Sequence, residues 1–198
     1  MTTFIDGSSQ ALHGFAGAHA WVTPIVVWGT AGFIFLCPVG FFLLWVWDGR
    51  LRPGVAALVG LGLTQWASHE MGRLTYRPRP FVAMHFTPLY PHLPNNSFPS
   101  TLTAFAAVAG VIGVLAWRRV GLVFVVGTVV VGFGCVYVGV HYATDVIVGA
   151  GLGAACGAVA WLAAGLRPVT SVLDAMERRL PQRRRRGAPP RVAATAAS

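Results

Sequence analysis

Five long stretches of the chain are apolar, and polar breaks separate them. They run roughly over residues 24–47, 55–74, 100–117, 120–140 and 145–166. Stretches of this length match helices that cross a hydrocarbon layer about 30 Å thick. Pro38 lies inside the first, where a membrane helix tolerates a kink. The last carries Gly149, Gly151, Gly153 and Gly157 among alanines, a small-residue face suited to close helix packing. The pattern predicts an all-α integral membrane protein, a bundle of five or six transmembrane helices. Residues 1–20 mix Phe4, Ile5, Leu12 and Phe15 with polar residues and are too polar to span. They read as an interfacial segment, followed by a transmembrane domain over 21–166 and a basic tail over 167–198. Within the tail, Ser171–Leu180 has the spacing of an amphipathic helix, and the Pro/Ala-rich end reads as disordered.

Composition agrees with this reading. Charged residues make up 11% of the chain and mean hydropathy is +0.63, against about 25% charged residues in soluble domains. The net charge is +9, and all 15 basic residues are arginine. They gather at span ends, in the tail and in one polar break rather than over a soluble face, which argues against a nucleic-acid partner. Cys37, Cys135 and Cys156 lie in apolar runs with no metal-ligand spacing. No Arg or Lys precedes the first apolar run, so the N-terminus does not read as a cleaved signal peptide. The positive-inside rule puts Arg50, Arg52, Arg118, Arg119 and the tail on the cytoplasmic side of a multi-pass plasma-membrane protein. Arg183–Arg186 then face anionic membrane lipids.

That orientation leaves Arg73, Arg77 and Arg79 on the extracytoplasmic side, where topology does not call for positive charge. An anionic ligand accounts for them better. Prolines 78 and 80 hold the Arg77–Arg79 segment extended, which presents two guanidiniums suited to phosphate oxygens. The stretch Asn95–Thr101 leads directly into the third span, and a helix start binds anions through free N–H groups and its dipole. Ser100 and Thr101 add hydroxyls there. The break before the fifth span reads His141-Tyr142-Ala143-Thr144-Asp145. A carboxylate four residues beyond a histidine can hold one ring nitrogen and leave the other to attack. Beside arginines, this is an arrangement for phosphoryl transfer through a phosphohistidine.

These three segments resemble the signature motifs of the type 2 phosphatidic acid phosphatase superfamily, which includes lipid phosphatases and vanadium haloperoxidases. The match is closer to the bacitracin-resistance-type undecaprenyl-pyrophosphate phosphatases. It is carried by RPRPFVA at 77–83, PH at 91–92, NSFPS at 96–100 and VGVHYATDVIVG at 138–149. The resemblance implies that Arg79 and Ser100 bind phosphoryl oxygens, that His141 is the nucleophile and that Asp145 orients it. Arg73, Arg77, Thr101 and His92 are further candidates for substrate contact. A lipid phosphate or pyrophosphate is the implied substrate, with no metal or other cofactor. The chain departs from the family pattern at three positions. Gly72 stands where a lysine is usual, Leu102 where a histidine usually protonates the leaving group, and Cys135 where an arginine usually binds phosphate. Two readings follow: a lipid pyrophosphate phosphatase, or a degenerate member that binds or moves a lipid phosphate without cleaving it.

Overall fold

The computed structural model describes Gly14 and residues 21–179. Its helices are α1 (Val22–Asp48), α2 (Leu51–Leu74), α3 (Pro80–Ala83), α4 (Thr101–Trp117), α5 (Leu122–Tyr137), α6 (Ala143–Ala163) and α7 (Arg167–Arg179). Five of these form the bundle: α1, α2, α4, α5 and α6. Among the described residues α1 and α6 are the two that are long and apolar enough to cross a membrane by themselves. The interfacial segment expected over residues 1–20 and the Arg183–Arg186 cluster lie outside the described residues.

Each boundary has a local cause. Gly49 ends α1 in the left-handed region, φ 71°, and its N–H returns to Trp45 O at 3.0 Å. The second helix starts at Leu51, ahead of the expected Val55, because Pro53 fits a helix's first turn without losing a hydrogen bond. The fourth expected span stops early, at Tyr137, because Gly139 takes φ +79° and turns the chain. A β-carbon at Gly139 would also strike the Phe86 ring. The amphipathic helix expected over Ser171–Leu180 begins earlier, at Arg167.

Small residues line the closest helix contacts, and many large apolar residues face outward. A β-carbon on Gly149 would strike the carbonyl oxygen of Ser100, and one on Gly153 that of Ala104. The backbones of α4 and α6 therefore lie in direct contact, as small residues allow in membrane bundles. Gly60 of α2 sits against Val108 of α4 and Gly157 of α6. On the other side of α4, a β-carbon on Gly121 would strike the backbone at Gly113. Helix α1 packs at the edge, with Cys37 and Phe33 against Gly127 of α5. Outward, Trp28, Phe35, Leu36, Leu43 and Trp47 of α1 and Val123, Val126 and Val129 of α5 are exposed. So large an apolar surface is stable against lipid and would associate in water.

The helix lengths recess one end of the bundle. Arg50 Nη2 donates to Ala116 O at 3.1 Å, which levels the start of α2 with the end of α4. Helix α2 has 24 residues and α4 has 17. At 1.5 Å per residue, α4 begins about 10 Å below the far end of α2. The segment from Thr75 to Ser100 descends into that gap.

Candidate active site

Three segments converge in this recess. The strand-like residues Pro78 and Asn96 form an antiparallel bridge, and Ser97 N donates to Arg77 O at 2.8 Å. Asn96 anchors the pair: its amide donates to Gly72 O at 2.8 Å, and its oxygen accepts from Arg77 N at 3.0 Å and Phe98 N at 3.1 Å. Ser100 N donates to Asp145 O at 3.0 Å, which ties the start of α4 to the start of α6. The α5–α6 turn is fixed by Gly139, and the loop after α3 docks on it through Leu89 N to Val138 O at 3.2 Å.

Asp145 is the buried hub, with no exposed surface. Arg77 Nη1 donates to its Oδ1 at 2.9 Å. Ser97 Oγ donates to its Oδ2 at 2.5 Å, and Tyr142 N donates to the same oxygen at 3.0 Å. Arg77 also donates to Thr144 Oγ1 at 2.7 Å and lies 3.6 Å over the Tyr142 ring. Both guanidiniums are turned toward the interior. Arg77 is half-buried on a carboxylate, and Arg79 is 6% exposed. A cation taken from water gains most from an opposite charge within reach, and Asp145 supplies it to Arg77.

Arg79 is differently placed. Its Nε donates to Asn95 Oδ1 at 2.8 Å and its Nη1 to Val140 O at 2.9 Å. The same Nη1 lies 3.2 Å from His141 Nε2. All three partners are neutral acceptors, since an arginine only donates and Nε2 must therefore present its lone pair. Burial draws the Arg79 guanidinium below its usual range, and the electrostatic pull of Cys135 and Asp145 opposes this. A buried cation satisfied by neutral groups, beside a nitrogen lone pair and a helix N-terminus, is a place for an anion.

The His141–Asp145 contact differs from the direct bond expected. His141 Nδ1 is 3.8 Å from Asp145 Oδ2, beyond hydrogen-bond reach. Ser97 Oγ sits beside both, 2.5 Å from Oδ2 and 3.4 Å from Nδ1. Ser97 has no exposed surface, and neither has Ser100, whose Oγ pairs with Thr103 Oγ1 at 2.9 Å. Thr101 opens α4 and is half-buried. Arg73 pairs with Glu70 at 3.5 Å on the exposed side of α2. His92 stands in the exposed loop, and partial desolvation, then the positive charge of Arg79, push its imidazolium below the usual histidine range. Among the described residues, no group of three or more His, Cys, Asp or Glu side chains gathers.

Four contributors were not singled out from the sequence: Ser97, Asn95, Asn96 and Thr144. All four lie inside the two polar segments already marked, so short polar residues flanking a charged one were the available signal. Two of the three departures from the family pattern, Cys135 and Leu102, are also located. Cys135 is buried at 4% exposure, near Arg79. Leu102 lines an apolar cavity of about 370 Å³ with Phe33, Phe41, Leu58 and Phe105.

Several known proteins resemble this chain. Undecaprenyl-diphosphatase BcrC of Bacillus subtilis (strain 168) is 26% identical over 144 residues, 70% of this chain and 72% of that one. Putative undecaprenyl-diphosphatase YbjG of Escherichia coli (strain K12) is 27% identical over 137 residues, 65% of this chain and 67% of that one. Among solved structures, Aquifex aeolicus LpxE superposes with TM-score 0.57 at 23% identity, covering 69% of this chain and 84% of that one. A transmembrane PAP2-type phosphatidylglycerolphosphate phosphatase from Bacillus subtilis superposes with TM-score 0.60 at 21% identity, covering 92% of this chain and 89% of that one. The PAP2 superfamily pattern matches residues 53–167. The chain thus belongs to the PAP2 superfamily.

Proposed function

We propose that the chain is a lipid (pyro)phosphate phosphatase that converts undecaprenyl pyrophosphate to undecaprenyl phosphate and inorganic phosphate. The observation that carries this reading is the pairing of His141 Nε2 with Arg79 at 3.2 Å. The guanidinium draws a phosphoryl group to the nitrogen that can attack it. Nε2 bonds the terminal phosphorus, and the bridging P–O bond breaks. Water then adds its oxygen to phosphorus, the N–P bond breaks, and phosphate leaves. The residues assigned to the site are His141 as nucleophile and Arg79, Ser100 and the start of α4 as phosphate ligands. Asp145 orients the ring, and Arg73, Thr101 and His92 meet the substrate at the rim.

Leu102 removes the proton donor usual in the family, and this substrate class tolerates the loss best. The leaving group from a pyrophosphate is a phosphate monoester with a second pKa of about 6, so it departs largely unprotonated at neutral pH. The lipid tail enters between the spans, and the apolar cavity beginning at Leu102 supports that route. The site faces the extracytoplasmic side of the plasma membrane, and the tail over 167–198 meets anionic lipids on the cytoplasmic side, following the arginine distribution.

The test is phosphate release from undecaprenyl pyrophosphate by the purified full chain beside His141→Ala. Release by the wild type, falling to background in the variant, is expected. Equal background release from both would overturn the reading. It would favour the second one, a member that binds or moves a lipid phosphate without hydrolysis. Two observations speak for that alternative: Cys135 occupies the buried place of a phosphate-binding arginine, and Leu102 faces apolar space. Appearance of activity in a Leu102→His, Cys135→Arg double variant would support it.

A further inference from the structure

We infer that Ser97 is a positioning residue that couples Asp145 to His141, so that the orienting unit has three members rather than two. The inference rests on the phosphohistidine reading above and concerns a residue to which that reading assigns no role. The Asp145 oxygen nearest the ring, Oδ2, already holds two donors. Asp145 Oδ1 accepts from Arg77 at 2.9 Å, and Oδ2 accepts from Ser97 Oγ at 2.5 Å and Tyr142 N at 3.0 Å. His141 Nδ1 lies 3.8 Å from that carboxylate, too far for a hydrogen bond. The polar atom next to the ring is Ser97 Oγ at 3.4 Å.

The proton positions follow from donor and acceptor chemistry. Arg79 only donates, so Nε2 accepts, and in the neutral ring Nδ1 carries the hydrogen. Ser97 spends its own hydrogen on the carboxylate, so its oxygen has lone pairs to offer Nδ1–H. The relay runs from Nδ1–H to Ser97 Oγ and from Ser97 Oγ–H to Asp145 Oδ2. When Nε2 bonds phosphorus and the bridging P–O bond breaks, the ring keeps its Nδ1 hydrogen and becomes cationic. The serine dipole passes the carboxylate's field to that charge with no proton changing owner.

Ser97 is held for this task from both sides. Its N–H is fixed to Arg77 O at 2.8 Å, and its side chain has no exposed surface. The Asn95–Ser100 segment therefore contributes to both halves of the site. Asn95 braces Arg79, Ser97 braces His141, and Ser100 starts the phosphate-binding helix.

The experiment uses the full chain in detergent micelles, with undecaprenyl pyrophosphate as substrate and ¹⁵N-labelled histidine for tautomer measurement. His141→Gln assigns the His141 resonances. Ser97→Ala should lower kcat about tenfold to hundredfold, as loss of a group orienting a working imidazole does, with KM changed less than about twofold. Ser97→Thr, which restores the hydroxyl, should recover most of the loss. In an Asp145→Asn background Ser97→Ala should add little, because the members of one unit are not additive. In the spectrum, wild type should show the Nδ1–H tautomer and Ser97→Ala a mixture. Unchanged kcat in Ser97→Ala, losses that multiply with Asp145→Asn, or identical tautomer spectra would each overturn the inference. Absence of a phosphoenzyme in an otherwise active wild type would instead strike the phosphohistidine reading, and the tautomer measurement would still decide the role of Ser97.

Discussion

Both ends of the helix bundle carry arginines, and they do opposite work. At the end away from the site, Arg50 donates to Ala116 O near the end of α4, and Arg52 donates to Trp161 O at 3.1 Å near the end of α6. Helix C-termini carry partial negative charge, so these cations complement the dipoles they meet. Arg50 also pairs with Asp48, and Arg52 covers the Trp161 ring at 4.1 Å. At the site end the same two helices present their N-termini, which carry partial positive charge. Arg77 and Arg79 sit there, against the expected sign, while Arg73 lies in the last turn of α2 paired with Glu70. Asp145 compensates Arg77. Arg79 has only neutral hydrogen-bond partners, and that imbalance supports the proposed phosphate site. The contrast teaches that arginine count says little, whereas the sign of the helix end beneath each arginine separates scaffold from site.

The comparison can be broken most forcefully at Arg79. Arg79→Ala should cost about 10³-fold or more in kcat/KM, the usual scale for a charge-stabilising arginine in phosphoryl transfer, measured by phosphate release. A loss under tenfold would mean that the phosphate binds elsewhere. Removing the compensated side should appear in stability as well as in activity. Asp145→Ala leaves Arg77 half-buried without its carboxylate, and about 3–5 kcal/mol of stability should disappear, read by denaturant unfolding in micelles. Arg52→Ala should be far milder. Loss of one carbonyl bond and a cation–π contact is worth about 1 kcal/mol, with phosphate release unchanged. The smallest effect concerns His92. Its protonated form is disfavoured in the fold, so the unfolded chain binds more protons and stability rises with pH. Stability should therefore slip as pH falls below about 6.5, and His92→Gln should flatten that slope in a thermal-shift series.

The helices were legible in the sequence because lipid demands long apolar runs, and their number and order follow from the pattern alone. Their edges were less so. Leu51 starts α2 because a proline in the first turn costs nothing, and Gly139 ends the α5 region because its backbone enters the left-handed region. At the site, the motif residues could be read from spacing along the chain. Their pairing could not. Whether Asp145 serves Arg77 or Arg79 depends on how segments 77–79, 96–100 and 141–145 cross in space. Ser97 stayed hidden for the same reason: a lone serine in a polar loop gains its meaning only when a carboxylate arrives from 48 residues away.

The glycine seam between α4 and α6 has a mechanical consequence. Gly149 meets the Ser100 carbonyl and Gly153 that of Ala104, backbone against backbone, on the very helices whose starts carry Ser100 and Asp145. No layer of side chains lies between them to be compressed or rotated. The two halves of the cradle therefore behave as one solid piece, and a cycle of substrate exchange cannot work by prising them apart. Motion must come from the lipid and from the loop after α3, which passes over a socket whose dimensions stay fixed.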